Sequence, residues 1–576
     1  MMIKAFKDFF YINNFFKSKF LYVIFLLLII ATFLEMLAIG ILLPLITIIF
    51  RGEINMAKND FIFDFLPTGI LKFDHDIKLL LLVLILGLFL IKTIVLIIIS
   101  FVQTKFYENM RFKISNFFFR LYMLKPYEYF TDEKDSSKII RNCTSLSVNF
   151  VNFLERLMMV FNDLFFFLGI FAILLLYETK ITIFISLIIF LASLIFIKFT
   201  KKRIFRWGKI LLELSSSLIK DIQEGLAGII QIKLLGKTNF FLNKFSSKIK
   251  ENSNKVAKIT FVSSLPKIYI EFLMVLIILT TIFIMLYFKE TNESIIGVLT
   301  LMAFVAFRII PLSNRSILFA NTVSSYAPGL EVLCNEIKKD NKIKNIKQKQ
   351  NIPLNTVELK NVYFNYKNGK KIFEDISIKI KKNEVIGIVG DSGSGKSTFL
   401  NLVSGLIKPN SGQIVYNKND NQIFDEDTYK ISYVTQDILL NNDTIKNNIA
   451  FGVPEKEINE EKIYKAIEMS QLSKFINSLP NKLSTQINEL GINFSGGQIQ
   501  RIAIARAFYS ECDFLIFDES TAALDQETEK LVLDLIYSLK DDKIIIIVSH
   551  KKENLYKCDK ILKIENLKIR NIKLNE

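Results

Sequence analysis

Residues 390–397 read Gly390-Asp391-Ser392-Gly393-Ser394-Gly395-Lys396-Ser397, with Thr398 next. Glycines let backbone N–H groups approach phosphates, and a helix opening at Ser397 adds a favourable dipole. Lys396 offers a point charge to the β- and γ-phosphates, and Ser397 a hydroxyl to Mg²⁺. Phe514-Leu515-Ile516-Phe517-Asp518-Glu519 is an apolar run ending in two carboxylates. Asp518 suits Mg²⁺, directly or through water, and Glu519 suits a general base that polarises an attacking water. Ser495-Gly496-Gly497-Gln498 opens a further helix with glycines, a second phosphate cradle. One nucleotide needs one phosphate loop, so this second cradle makes sense facing the nucleotide of another chain. The chain has two histidines. His550 closes the strand 544–549 beside the phosphate site and suits a γ-phosphate contact; His75 receives no role.

The elements that must position these groups alternate between strand and helix. Val385–Val389 precedes the phosphate loop and 397–404 follows it as a helix, which predicts an α/β domain over 353–576. A Lys-, Asn- and Gln-rich linker, 336–352, precedes it.

Residues 1–335 have a different character. The chain of 576 residues is 51% apolar, carries a formal charge of +17 and has a mean hydropathy of +0.34. This apolar mass excludes a disordered chain, and four cysteines exclude a disulfide scaffold. Residues 1–350 hold 43 Lys+Arg against 25 Asp+Glu; residues 351–576 hold 30 against 31. The basic excess therefore sits in the first part. The near-neutral second part argues against a nucleic-acid partner. Lys is plentiful and Arg supplies 12 of 73 cations, a bias toward A- and T-rich codons that inflates the charge.

Six apolar stretches, near 20–43, 78–101, 151–176, 181–199, 261–288 and 295–320, approach or reach the roughly 20 residues that cross a bilayer. With the N-terminus in the cytosol, internal segments carry 31 Lys+Arg and external ones 6, so this orientation is favoured. Cys143, Cys334, Cys512 and Cys558 then lie on the cytosolic side as free thiols. The first stretch is too long, and lacks a small-residue cleavage site, to be a removable signal. Apolar periodicity in 112–124 and 204–235 predicts helices continuing into the cytosol and ending in short turns near 126–138 and 235–245. The external segment Asn59–Ile77 reads as a surface helix or a structured loop.

On these motifs the chain resembles exporter-type ABC transporters over essentially its full length. The resemblance also covers Ser495–Gln498 as the family's signature, the turn Ala523-Leu524-Asp525, Gln436 of the glutamine loop, Tyr366 as the adenine-stacking aromatic, and Glu489 and Gly491 before the signature. It implies a six-span α-helical transmembrane domain followed by an α/β P-loop ATPase. It also implies ATP and Mg²⁺ as cofactors, with Ser397, Gln436 and Asp518 around the metal. ATP would lie between the phosphate loop of one chain and Ser495–Gln498 of a second, so a homodimer that hydrolyses ATP at both sites is implied. Phe494, Ala522 and Lys551 depart from the usual Leu, Ser and Arg, and none removes a catalytic group.

Charged residues inside the spans bear on the cargo. Lys92, Lys267, Arg308 and Arg315 stand out, with Arg308 and Arg315 about 10 Å apart on one helix face. An anion site for a pyrophosphate suits forked Arg donors. The structural alternative is pairing with Glu35, Glu155, Asp163 or Glu271, or snorkelling to the interface. Pro266–Glu271, Arg308–Arg315, Phe33-Leu34-Glu35 with Pro44, and Lys92 resemble bacterial lipid-linked oligosaccharide flippases of the PglK type. Lys92 and Lys267 stand where arginines are expected. The resemblance implies a polyprenyl-pyrophosphate oligosaccharide moved to the outer leaflet of the bacterial inner membrane for protein glycosylation. Export of another lipid or glycolipid of the lipid A type, a peptide or a drug is the alternative.

Overall fold

The structure, a computed structural model, describes residues 2–16, 20, 22–34, 74–132, 135–177, 179–287, 292–339, 354–366, 369–417, 423–424, 429–488 and 494–572. Glu35, Pro44, most of Asn59–Ile77, the linker beyond 339, Glu489 and Gly491 lie outside the described residues. The chain forms two compact units, Met1–Lys125 with Lys134–Ile343, and Pro126–Glu133 with Lys344–Glu576.

The first unit is helical. Its described helices are α1 (Met2–Phe15), α2 (Tyr22–Leu34), α3 (Asp74–Met123), α5 (Ser136–Cys143), α6 (Ser145–Tyr177), α7 (Thr179–Ala227), α8 (Ile229–Leu234), α9 (Thr238–Tyr287) and α10 (Asn292–Lys339); the second unit takes α4 (Tyr127–Asp132). Helices α3 and α9 each run 50 residues. At about 1.5 Å per residue that is about 75 Å, more than twice the ~30 Å of bilayer hydrocarbon. An apolar stretch therefore fills part of each helix and a polar extension the rest. The predicted stretches 78–101, 151–176, 181–199 and 295–320 fall on α3, α6, α7 and α10, and 261–287 on α9. Two described segments, Phe89–Met123 and Thr238–Tyr287, are long and apolar enough to cross a membrane. Leu90, Ile97, Phe272 and Phe283 are exposed on them, as a lipid-facing surface requires. Where elements meet, aromatic rings fill the core: Phe9 of α1 stacks on Phe150 of α6 at 5.3 Å. The turn expected near 235–245 lies earlier in the chain, over α8 and residues 235–237, and 238–245 already belong to α9. Its Ile230, Leu234 and Leu235 are exposed.

The second unit holds a six-stranded sheet of order β12-β11-β3-β10-β9-β6 and a four-stranded antiparallel sheet of order β2-β1-β4-β5. The strands are β1 (Thr356–Asn365), β2 (Lys371–Lys381), β3 (Glu384–Val389), β4 (Ser411–Asn417), β5 (Ile423–Phe424), β6 (Ile431–Val434), β7 (Asp443–Thr444), β8 (Gln486–Ile487), β9 (Phe514–Asp518), β10 (Ile544–Val548), β11 (Lys560–Glu565) and β12 (Lys568–Ile572). Strands β9 and β10 are buried at every residue, as their unbroken apolar sequences require when both sheet faces are covered. Helices α11 (Lys396–Val403), α12 (Ile445–Ile449), α13 (Glu460–Met469), α14 (Ser473–Ser478), α15 (Gly496–Tyr509) and α16 (Gln526–Ser538) complete it.

Candidate active site

Strand register gathers the predicted chemistry. β3, β10, β9 and β6 lie side by side and parallel, so their C-terminal ends share one edge. In such sheets ligands bind at that edge. Val548 of β10 is level with Ile388 of β3 and Asp518 of β9. One or two residues further on, the chain presents Gly390, Glu519 and His550, and Gln436 follows β6 at the same edge.

The phosphate loop joins β3 to α11. Gly395 caps that helix in a left-handed conformation, φ 109°. A Cβ there would lie 2.9 Å from Ile372 Cγ2, so the site admits only glycine without rearrangement. Lys396 Nζ donates to the carbonyls of Gly390 at 2.7 Å and Asp391 at 3.2 Å, which holds the ammonium over the loop. Asp391, Ser392, Gly393 and Ser397 are exposed, and Ser394 Oγ is a buried hydroxyl without a protein partner. A ring of glycine-freed amides beside a lysine and an unpaired hydroxyl fits a phosphate chain. Tyr366 Oη lies 3.0 Å from Thr398 Oγ1, which sets its half-buried ring beside the start of α11.

Glu519 stands at the centre of the opposing groups. His550 Nε2 lies 2.8 Å from one of its oxygens, and Gln436 Nε2 donates to the other at 3.1 Å. Its backbone is left-handed, φ 51°, and its N–H is tied to Val548 O at 3.1 Å. A non-glycine residue held in that conformation stores of order 1 kcal/mol or more and aims its side chain off the strand end. Asp518 beside it is buried, and burial raises its pKa. A hydrogen bond from Tyr433 Oη at 3.0 Å opposes that shift, while the Glu519 charge adds to it. A buried carboxylate whose charge is disfavoured this way fits a divalent cation, which would stabilise the ionised form. Among the described residues no group of three or more His, Cys, Asp and Glu side chains is arranged to hold a metal. Asp518 and Ser397 would therefore share the ion with phosphate oxygens and water.

The signature residues follow different contacts. Ser495 caps α15 in a capping box with Gln498, with bonds of 2.8 and 3.3 Å. Gly496 and Gly497 pack on the Ala523–Leu524 turn. Gln500 Oε1 accepts from Ala523 N at 2.9 Å and pins that turn to α15. Tyr433 and Gln500 make contacts to the site that the motifs do not include. Tyr433 is legible only once register places β6 beside β9. Helix α4 belongs to this unit, with Glu128 Oε1 accepting from Lys408 N at 3.0 Å.

In the helical unit, a cavity of about 470 Å³ opens between α2, α3, α6 and α10. Its polar lining includes Gln103, Glu108, Asn152, Glu155, Asp163 and Arg315. Of the four predicted cargo cations, Arg315 lines the cavity and pairs with buried Asp163 at 2.8 Å. Lys267 is exposed and 4.0 Å from Glu271, and Lys92 Nζ sits 5.2 Å from the centre of the Phe89 ring. Neither lines that cavity. Arg308 shares α10 with Arg315, and its side chain lies outside the described ones.

Residues 21–310, half of the chain, match the family described as ABC transporter transmembrane region, and 373–522 match ABC transporter. The chain belongs to the ABC transporter family. Among solved structures, a bacterial Atm1-family ABC exporter with ATP bound aligns over 95% of this chain and 94% of that one. Its TM-score is 0.75 at 18% identity, a likeness of fold. An ATP-dependent lipid A-core flippase of Saccharophagus degradans is 30% identical over 60% of this chain and 58% of its own. A probable ABC transporter ATP-binding/permease protein of Haemophilus influenzae is 35% identical over 47% of this chain and 48% of its own. These alignments span about half the length of the curated relatives. The ABC architecture, a helical transmembrane domain followed by a nucleotide-binding domain, matches the sequence expectation. The count of six spans goes beyond what the described helices establish.

Proposed function

We propose that this chain is half of an ATP-driven exporter that works as a homodimer and moves a lipid-anchored cargo across a bacterial inner membrane. The observation that carries the reading is a phosphate loop and a His550–Glu519 pair on one sheet edge, in a chain that also holds membrane-length helices. Lys396 and the loop amides hold the β- and γ-phosphates. Glu519 takes a proton from a water attacking the γ-phosphorus as the bond to the ADP oxygen breaks. His550 and Gln436 hold both Glu519 oxygens in place and lie near the transferred group. Magnesium, when bound, supplies charge to the phosphate oxygens.

Two observations support a second copy. Ser495–Gln498, with Ser495 and Gly496 exposed, is a cradle surplus to one nucleotide, and the α8 turn leaves Ile230, Leu234 and Leu235 uncovered. Six apolar stretches support six spans, and loop charge supports a cytosolic N-terminus and nucleotide domain.

The cargo reading is a polyprenyl-pyrophosphate oligosaccharide, supported by Arg308 and Arg315 on one helix and by the resemblance around them. A second reading, a lipid A-type glycolipid, is favoured by the flippase relatives. The cavity, with Arg315 paired to Asp163 beside Glu108 and Glu155, offers acceptors to the sugar hydroxyls that both cargoes carry. ATPase stimulation in proteoliposomes by polyprenyl-pyrophosphate oligosaccharide, lipid A and a peptide panel separates these readings. A chain unstimulated by any lipid, with Glu519→Gln turning over ATP at the wild-type rate, would contradict the proposal.

A further inference from the structure

Glu519 and His550 lie on separate loops, and neither loop fixes the other by backbone pairing beyond the Glu519 N–Val548 O bond. A third acid joins them. Glu529, in the first turn of α16, is buried with 5% of its side chain exposed. One of its oxygens accepts from Thr521 Oγ1 at 2.9 Å and Asn554 Nδ2 at 2.8 Å. The other lies 2.7 Å from Lys551 Nζ. Thr521 stands two residues after Glu519, and Lys551 directly follows His550. Asn554 Nδ2 also approaches Ser549 Oγ at 3.4 Å, on the other side of His550, and that hydroxyl accepts from Lys551 N at 3.1 Å. Glu529 itself is fixed by its backbone N–H to Asp525 O at 2.8 Å, at the head of a helix whose cap Asp525 forms. The carboxylate thus holds both loops at once, from behind the pair that faces the nucleotide.

We infer that Glu529 is a positioning residue for ATP hydrolysis: with Lys551 and Thr521 it sets the separation of His550 and Glu519. A buried carboxylate with three donors is an expensive feature unless all are satisfied, and here each donor comes from a segment carrying or adjoining the reacting groups. Lys551 keeps half its side chain exposed, so its stem is not needed to fill a core. Its use is the ion pair. The inference rests on the ATP-hydrolysing reading, and the controls below separate the two.

The test is steady-state ATPase and fluorescent-nucleotide binding on the full chain in proteoliposomes, for wild type, Glu529→Gln, Lys551→Met, Lys551→Arg, the double Glu529→Gln/Lys551→Met, and Glu519→Gln. Misplacing a catalytic group by a fraction of an ångström lowers turnover by about tenfold. Glu529→Gln and Lys551→Met are each expected to lower kcat by about tenfold, with nucleotide affinity and KM changed less than twofold. The double variant is expected to be no slower than the slower single one, because both remove one interaction. Lys551→Arg, which keeps the pair, is expected to stay within threefold of wild type. Wild-type kcat in both single variants, kcat losses that multiply in the double, or a parallel loss of nucleotide binding would each overturn the inference. If Glu529→Gln does not fold, Lys551→Met and Lys551→Arg decide alone. Wild-type protein without turnover, or turnover equal in Glu519→Gln, would instead defeat the underlying reading.

Discussion

Two adjacent glycines, Gly496 and Gly497, look equivalent in the signature, but their surroundings differ. A Cβ on Gly496 would lie 3.6 Å from Ala523 Cβ, an ordinary contact. A Cβ on Gly497 would lie 2.9 Å from Ala523 O and 3.3 Å from Leu524 Cδ2. The carbonyl belongs to a turn held by Gln500 and cannot swing away alone. Alanine is favoured over glycine in a helix by ~0.5–1 kcal/mol, while overpacking costs ~1–3 kcal/mol. Gly496→Ala should therefore be neutral or stabilising by up to ~1 kcal/mol, and Gly497→Ala destabilising by about 1–2 kcal/mol. For a domain of this size that separates their unfolding midpoints by roughly 2–12 °C. Calorimetry of the full chain in nanodiscs, read at the transition sensitive to nucleotide, measures the difference. Equal midpoints, or Gly497→Ala at or above wild type, would refute the packing argument. If a second copy's nucleotide meets this cradle, Gly496→Ala should still lose ATPase activity while keeping its fold.

Other expectations follow from single contacts. Tyr433→Phe removes the donor to buried Asp518 and should lower ATPase turnover by about tenfold, a hydrogen bond to a charged group being worth ~1.5–3 kcal/mol; unchanged turnover would remove Tyr433 from the site. Burial pushes the Cys558 thiol up to about 11 and raises that of Cys512. At pH 8 only about one Cys558 in a thousand is thiolate, so maleimide should label neither until the chain is denatured, with mass spectrometry as the count. Arg315→Ala strips a charged partner from Asp163 and should lower the folded yield in membranes, with Arg315→Ala/Asp163→Asn restoring it. If Arg315 also serves cargo, the double variant folds but does not transport.

Much of the nucleotide site was legible because its groups are sequence-local and chemically constrained. Gly390–Ser397, Asp518-Glu519 and His550 each sit at a strand end, and an apolar run marks each strand. Tyr433, Gln500 and Glu529 were not legible in the same way. Their partners lie 85, 23 and 22 residues away, and only parallel register and helix packing bring them together. The long helices were readable from apolar runs followed by periodic polar extensions. Sequence offers Arg315 several acids, and the structure pairs it with Asp163, 152 residues away.

On the proposed function, ATP hydrolysis at Glu519 drives a lipid-linked cargo across the bilayer. The direct measurement is translocation of a fluorescent polyprenyl-pyrophosphate oligosaccharide, beside a labelled lipid A, in proteoliposomes of purified wild type and Glu519→Gln. Movement of a lipid-anchored cargo that requires ATP and wild-type Glu519 is expected, with the oligosaccharide lipid moved faster. Movement without ATP, equal movement in Glu519→Gln, or no movement of either lipid beside brisk hydrolysis would contradict it.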